Sequence, residues 1–303
     1  MRILFAGTPN TAVTVLGGLM NSGHEVVAVL TREDATFGRN RSIKQSPVAE
    51  FATSKGIPVI KANRIDEVIE KQIREVQADF GVVVAYGAIL KLSTLNLLPE
   101  GWFNLHYSLL PKYRGAAPVQ HAILNGDEVT GVTVFKLDSG MDTGPILGSI
   151  QTVVQPDENS GDLILRLSHL GIGLLNEILP KIYSGLATFT LQLGTPSFAP
   201  KVNREDARLR PQMDAKQAEL RVRAMNPEPI AWILFDDEPM RILHARAIDS
   251  SSNSLGELQH QENPVIVCAG NSGLELLEVQ PAGKKPMEAN AWYRGLRSLG
   301  MFS

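Results

Sequence analysis

Asn104 and His106 stand two residues apart in Trp102-Phe103-Asn104-Leu105-His106, an apolar run of strand type. Alternate side chains of an extended chain share a face, so an amide and an imidazole project together. An amide can polarise a carbonyl through its N–H donors, and an imidazole titrates near neutral pH. Behind them runs a turn-rich, cationic stretch, Tyr107-Ser108-Leu109-Leu110-Pro111-Lys112-Tyr113-Arg114, closed by Gly115. A later acidic segment, Leu137-Asp138-Ser139-Gly140-Met141-Asp142-Thr143-Gly144, can supply a carboxylate to orient the imidazole. Together these residue types make a metal-free acyl-transfer set. Taken alone, His106 reads as a satisfied strand histidine. The amide, the turn and the carboxylate are what favour chemistry.

The elements around these residues alternate. Apolar runs at 2–6, 25–30, 58–60, 80–85, 102–106 and 131–137 read as strands. Segments 11–21, 48–55, 65–77 and 163–179 read as helices, with Pro180 ending or kinking the last. This order predicts an α/β fold, a Rossmann-like, mostly parallel sheet with helices on both faces. Sites in such sheets form at the carboxyl ends of strands. Tyr86-Gly87, Asn104 with His106, and residues 138–142 all fall at or just past strand ends. Gly7-Thr8-Pro9 lacks the rest of a G-x-G-x-x-G fingerprint, and Pro9 removes a donor, so it reads as a tight turn. Residues 194–203, with Pro196 and Pro200, read as a linker. Beyond it come one helix, 214–225, and short strands at 231–235, 240–247, 264–268 and 274–280. These predict a small C-terminal β-barrel, OB-like in type. The expected division is a catalytic domain at 1–190, a linker at 191–205 and a barrel domain at 206–303.

Composition narrows the field. The chain has 303 residues, 44% hydrophobic and 20% charged, enough for a large core and two domains. Its net charge of −3 gives no global field for a polyanion, so any nucleic-acid contact must use local patches. The single cysteine, Cys268, lies in an apolar run and reads as a core thiol. It excludes a disulfide framework and suits a reducing cytoplasm. No signal peptide is legible, and no uninterrupted apolar run approaches the roughly 20 residues of a membrane span. No Cys cluster or His pair has metal-ligand spacing.

Residues 104–115, followed by Ala116-Ala117-Pro118, resemble the signature of the 10-formyltetrahydrofolate-dependent formyltransferases. Asp138-Ser139-Gly140-Met141-Asp142-Thr143-Gly144 resembles that family's second signature. Val83-Val84-Ala85-Tyr86-Gly87-Ala88-Ile89-Leu90 looks like its folate-binding strand and loop. Three further features resemble the members that act on methionyl-tRNA: the opening Phe5-Ala6-Gly7-Thr8-Pro9, the basic insertion at 37–48, and Arg221-Val222-Arg223-Ala224-Met225-Asn226-Pro227 ahead of Trp232. The resemblance covers nearly the whole chain. It implies Asn104, His106 and Asp142 as the catalytic trio, with Asp138 as the rival carboxylate that only caps its turn. It implies Ser108, Leu109, Leu110, Pro111, Tyr86 and Gly87 as contacts for the formyl donor, 10-formyltetrahydrofolate, with no metal. Charged initiator methionyl-tRNA is the implied acceptor, gripped by Arg39, Arg41, Lys44 and Lys201, and the enzyme is expected to be a cytoplasmic monomer. Asp142 is expected to raise the pKa of His106.

Departures bear on the RNA reading. Tyr107 and Tyr113 replace side chains that are often smaller, and the insertion holds Arg39, Arg41 and Lys44 rather than a dense Lys run. From Lys201 onward there are 13 basic and 14 acidic residues, so a phosphate-binding barrel needs one-sided placement of its cations. The competing readings are a formyltransferase for a small amine, which needs neither insertion nor barrel, and a formate-releasing hydrolase, which would carry a regulatory domain. A non-catalytic RNA-binding module is the remaining alternative, and the intact trio weighs against it.

Overall fold

A computed structural model describes residues 1–37, 42–250, 252, 254–298 and 300–303. Arg39 and Arg41 lie outside the described residues. Contacts divide the chain into two compact units: Met1–Pro118 with Val129–Val153 and Ile164–Pro200, and Val119–Glu128 with Val154–Leu163 and Lys201–Ser303. These differ from the contiguous division expected above, because residues 191–200 fall with the first unit and two internal segments with the second.

The first unit holds strands β1 (Arg2–Gly7), β2 (Glu25–Thr31), β3 (Ala35–Phe37), β4 (Ser42–Lys44), β5 (Val59–Lys61), β6 (Phe80–Val84), β7 (Trp102–His106), β8 (Val129–Lys136) and β9 (Ile146–Val153). Its main sheet has the order β5-β2-β1-β6-β7-β8-β9. The first five strands are parallel, while β8 and β9 run antiparallel to their neighbours. The sequence did not show β9, whose side chains alternate between half-buried and exposed. It also read the insertion as a loop, where β3 and β4 pair as a hairpin.

Helices α1 (Asn10–Asn21), α2 (Pro47–Ser54), α3 (Glu67–Glu75), α4 (Leu92–Leu95), α5 (Pro118–Leu124) and α6 (Ser160–Tyr183) follow in chain order. Local chemistry starts two of them. Ser46 Oγ accepts from Ala49 N–H ahead of Pro47, and Asp66 Oδ1 accepts from Ile69 N–H. α6 runs three residues past Pro180 rather than ending there. It is long and apolar enough to cross a membrane by length and composition, yet Leu167, Leu175 and Leu179 are wholly buried in the core. Gly171 lets α6 approach β7, since a Cβ there would sit 2.4 Å from Leu105 Cδ2. Leu105 faces α6, so Trp102, Asn104 and His106 face the other way. Trp102 packs on that side with Ile73 of α3, which puts helices on both faces of the sheet.

The second unit has α7 (Ala215–Met225), capped by Asp214, and a sheet of β10 (Trp232–Phe235), β11 (Glu238–Asp249), β14 (Ser272–Gln280), β13 (Pro264–Cys268) and β12 (Leu258–His260) in that spatial order. β15 (Met287–Glu288) pairs with β14, and α8 (Ala289–Arg294) follows. The last residues close this sheet. Ser303 exchanges hydrogen bonds with Leu234, and Phe302 N–H donates to Gly256 O at 2.8 Å. One edge is thereby joined to the other, giving the expected small barrel. Cys268 is 3% exposed inside it, and burial pushes its thiol up to about 11, so it is an inert core residue.

Candidate active site

β6 and β7 are parallel neighbours, so the loops leaving their carboxyl ends lie side by side. His106, the last residue of β7, is 5% exposed. Its Nε2 lies 2.9 Å from Tyr113 O. A carbonyl only accepts, so Nε2 carries the hydrogen in the neutral ring and Nδ1 keeps the lone pair. Nδ1 lies 3.8 Å from Asp142 Oδ2. Two residues earlier, Asn104 is half-buried, and its carboxamide bonds to no other described residue. The trio named from the sequence is thus gathered at one strand end, with a free amide beside a buried imidazole.

Asp142 does not arrive as the sequence suggested. Because β8 runs antiparallel, its carboxyl end lies beside Phe103, at the start of β7. The loop after it must double back to bring Asp142 to His106. Several bonds hold the returning loop. Asp142 Oδ2 accepts from Gly115 N–H at 2.7 Å, and Gly144 packs where a Cβ would lie 1.8 Å from Lys136 O. Asp138 Oδ1 accepts from Gly140 N–H at 3.0 Å and from Thr143 Oγ1 at 2.7 Å, so the rival carboxylate caps the turn.

Burial dominates the electrostatics of His106. Desolvation lowers its pKa, and the Asp142 charge and the bond to Tyr113 O only partly oppose this. The net direction is down. Asp142 pulls the expected way, but the buried ring is held neutral.

The donor-side residues form a tight turn. Ser108 Oγ donates to Lys112 O at 2.5 Å, and Thr133 Oγ1 donates to Ser108 O while accepting from Leu110 N–H. Ser108 and Leu110 are buried, which leaves Leu109 and Pro111 half-exposed. After β6, Gly87 takes φ 82° and its carbonyl accepts from Arg32 Nη1. Tyr86 differs from a ligand contact. Its ring is buried and its hydroxyl donates to Ala62 O at 2.8 Å, leaving its backbone at the loop.

Comparison with known proteins bears on this arrangement. A family profile described as "Formyl transferase" matches residues 1–179, and one described as "Formyl transferase, C-terminal domain" matches 201–297. Methionyl-tRNA formyltransferase of Corynebacterium diphtheriae is 43% identical, covering 98% of this chain and 98% of its own. That of Streptomyces griseus subsp. griseus is 44% identical, covering 98% and 97%.

The chain belongs to the methionyl-tRNA formyltransferase family.

Solved structures carry the same fold. The chain is similar to a sugar 3N-formyl transferase, with TM-score 0.69 at 18% identity over 94% of this chain and 99% of the other. It is also similar to methionyl-tRNA formyltransferase from Clostridium thermocellum, with TM-score 0.59 at 16% identity over 84% and 95%.

Within this formyltransferase the expected RNA-contact residues are scattered. Lys44 lies on exposed β4, and Lys201 is exposed at the start of the last segment of the second unit. Arg204 and Arg208 lie against Trp232, 5.0 and 5.2 Å from its ring centroid, and Arg221 Nη1 donates to Arg208 O. Arg223 is structural, since it donates to the carbonyls of Glu158 and Gln155. Sequence reasoning missed Thr133 and Gln192. Thr133 pairs with His106 across the sheet and carries no motif signal. Among the described residues, no group of three His, Cys, Asp or Glu could hold a metal ion.

Proposed function

We propose that this chain transfers the formyl group of 10-formyltetrahydrofolate to the free α-amino group of initiator methionyl-tRNA, for translation initiation. The observation that carries the reading is the free Asn104 amide beside the buried His106–Asp142 pair, in a chain of this family. The donor supplies an activated one-carbon acyl group. Leu109, Pro111 and the backbone at Tyr86 and Gly87 offer apolar surface and polar backbone groups suited to a flat heterocycle, and Ser108 and Leu110 shape the turn beneath. Asn104 Nδ2 donates to the carbonyl oxygen as negative charge develops there. His106 Nδ1, neutral and lone-pair-bearing, takes the proton the amine releases, Asp142 stabilises the resulting imidazolium, and the proton is returned to N10 of the donor as the N10–formyl bond breaks and tetrahydrofolate leaves. The chain acts as a cytoplasmic monomer on this reading.

The deciding assay is label transfer from 10-formyltetrahydrofolate to charged initiator tRNA, against free methionine and small amines. Transfer to tRNA alone is expected, and equal transfer to a nucleotide-sugar amine overturns the assignment. The basic insertion gives a second test. Arg39→Ala and Arg41→Ala are expected to weaken transfer to tRNA several-fold, because phosphate contacts supply affinity, while the KM for the donor stays unchanged. Wild-type efficiency with tRNA in both variants would make the basic side chains of the insertion merely solvated.

A further inference from the structure

We infer that Gln192 is a positioning residue for the reaction, clamping the loop that carries Asp142. The proposal rests on the formyl-transfer reading above. Gln192 Nε2 donates to Asp142 O at 2.8 Å and to Gly144 O at 2.9 Å. Its Oε1 accepts from Arg114 Nη2 at 2.7 Å and Arg114 Nε at 3.2 Å. One side chain therefore joins the returning loop to the turn that follows His106. Both donor hydrogens and the acceptor are used, and the ring is closed by Gly115 N–H to Asp142 Oδ2 at 2.7 Å.

The clamp has a reason to exist. Asp142 sits on a loop of nine consecutive non-strand residues, 137–145, that leaves the sheet at the far end of β7 and returns. Asp142 itself holds φ 54°, a left-handed conformation that a non-glycine residue adopts only when its surroundings fix it. Of the two carbonyls that Gln192 binds, one is that of this strained residue. Gln192 is itself fixed from both sides. Thr190 exchanges backbone hydrogen bonds with Ile146, each at 2.8 Å, and Ser197 O accepts from Arg114 N–H at 2.9 Å. Tyr113, whose carbonyl orients His106, donates its own N–H to Ser197 Oγ at 2.9 Å. Residues 190–199 are thus stitched to both halves of the trio's support. Leu191 and Leu193 point out while Gln192 points in, as a strand-like alternation requires.

The test uses the full chain and two variants of similar size. Gln192→Met removes every hydrogen bond. Gln192→Glu keeps an acceptor for Arg114 and loses both donors to the loop. Each is expected to lower kcat about 10- to 100-fold, with the KM of donor and of tRNA within about twofold, because a misplaced group costs rate rather than uniform binding. Tm should change by only a few degrees. In an Asp142→Asn background the Gln192→Met change should cost little more, since the clamp acts through Asp142. Wild-type kcat in Gln192→Glu, losses that simply add to those of Asp142→Asn, or a Tm drop that tracks the activity loss would each overturn the proposal. If the wild-type chain does not formylate methionyl-tRNA, it is the underlying functional reading that fails.

Discussion

Replacing Asn104 with alanine is expected to lower kcat by about 10²–10³, the usual cost of losing one donor to a developing oxyanion. The fold should survive it. The carboxamide bonds to no other described residue and sits half-buried at a strand end, so nothing in the core is orphaned. His106→Ala should cut turnover by at least about 10²-fold through loss of proton transfer. Its structural cost is larger, because the buried ring lies edge-on to Phe135 with centroids 6.3 Å apart, and its removal opens a cavity. The two variants therefore separate. Asn104→Ala should melt with the wild type, whereas His106→Ala should melt lower. Donor binding measured directly should be retained in both, which confines the defect to the chemical step. Near-normal turnover in either purified variant removes that residue from the mechanism.

What the sequence made legible follows from what each signal physically encodes. β7 and the shared face of Asn104 and His106 were readable because period-two alternation fixes which residues point together. β13 was read at its observed bounds, Pro264–Cys268, because all five of its residues are buried and hence apolar. β9 was not legible, since an edge strand whose residues are exposed or half-buried alternates weakly. Strand direction escaped as well. Periodicity marks a strand without saying which way it runs, so the return path of Asp142 could not be seen. The net shift of His106 was not legible for a related reason, although Asp142 raises its pKa as expected. The neighbouring carboxylate is a motif, whereas the burial that outweighs it comes from packing that no motif encodes, such as the edge-on contact with Phe135. Gln192 lies between two exposed leucines in a stretch read as linker, and only the fold brings it to Asp142.

Asp142→Asn offers the sharpest separation of charge from geometry. The amide is close in shape to the carboxylate, and its oxygen can still accept from Gly115 N–H. The bonds from Gln192 go to backbone carbonyls and are untouched. What is lost is the negative charge 3.8 Å from His106 Nδ1. That charge is the main influence raising the His106 pKa against burial. Without it the imidazolium formed on accepting the amine proton is stranded in a desolvated site. The expected result is a fall in kcat of about 10²-fold or more, within the range of general acid–base contributions. The pH behaviour has a definite sign. In the wild type, His106 should titrate below the ordinary value of about 6.5, and in Asp142→Asn lower still. NMR titration of the full chain, with His106→Gln assigning the resonance among six histidines, reads this directly. Because burial disfavours the charged ring, the unfolded chain binds the proton more readily. The His106 contribution to stability is therefore complete above about pH 6.5 and declines as pH falls through the depressed native value. That decline should extend to lower pH in Asp142→Asn. An unchanged titration midpoint, or turnover at the wild-type level, would show that the carboxylate neither tunes His106 nor carries charge in the reaction.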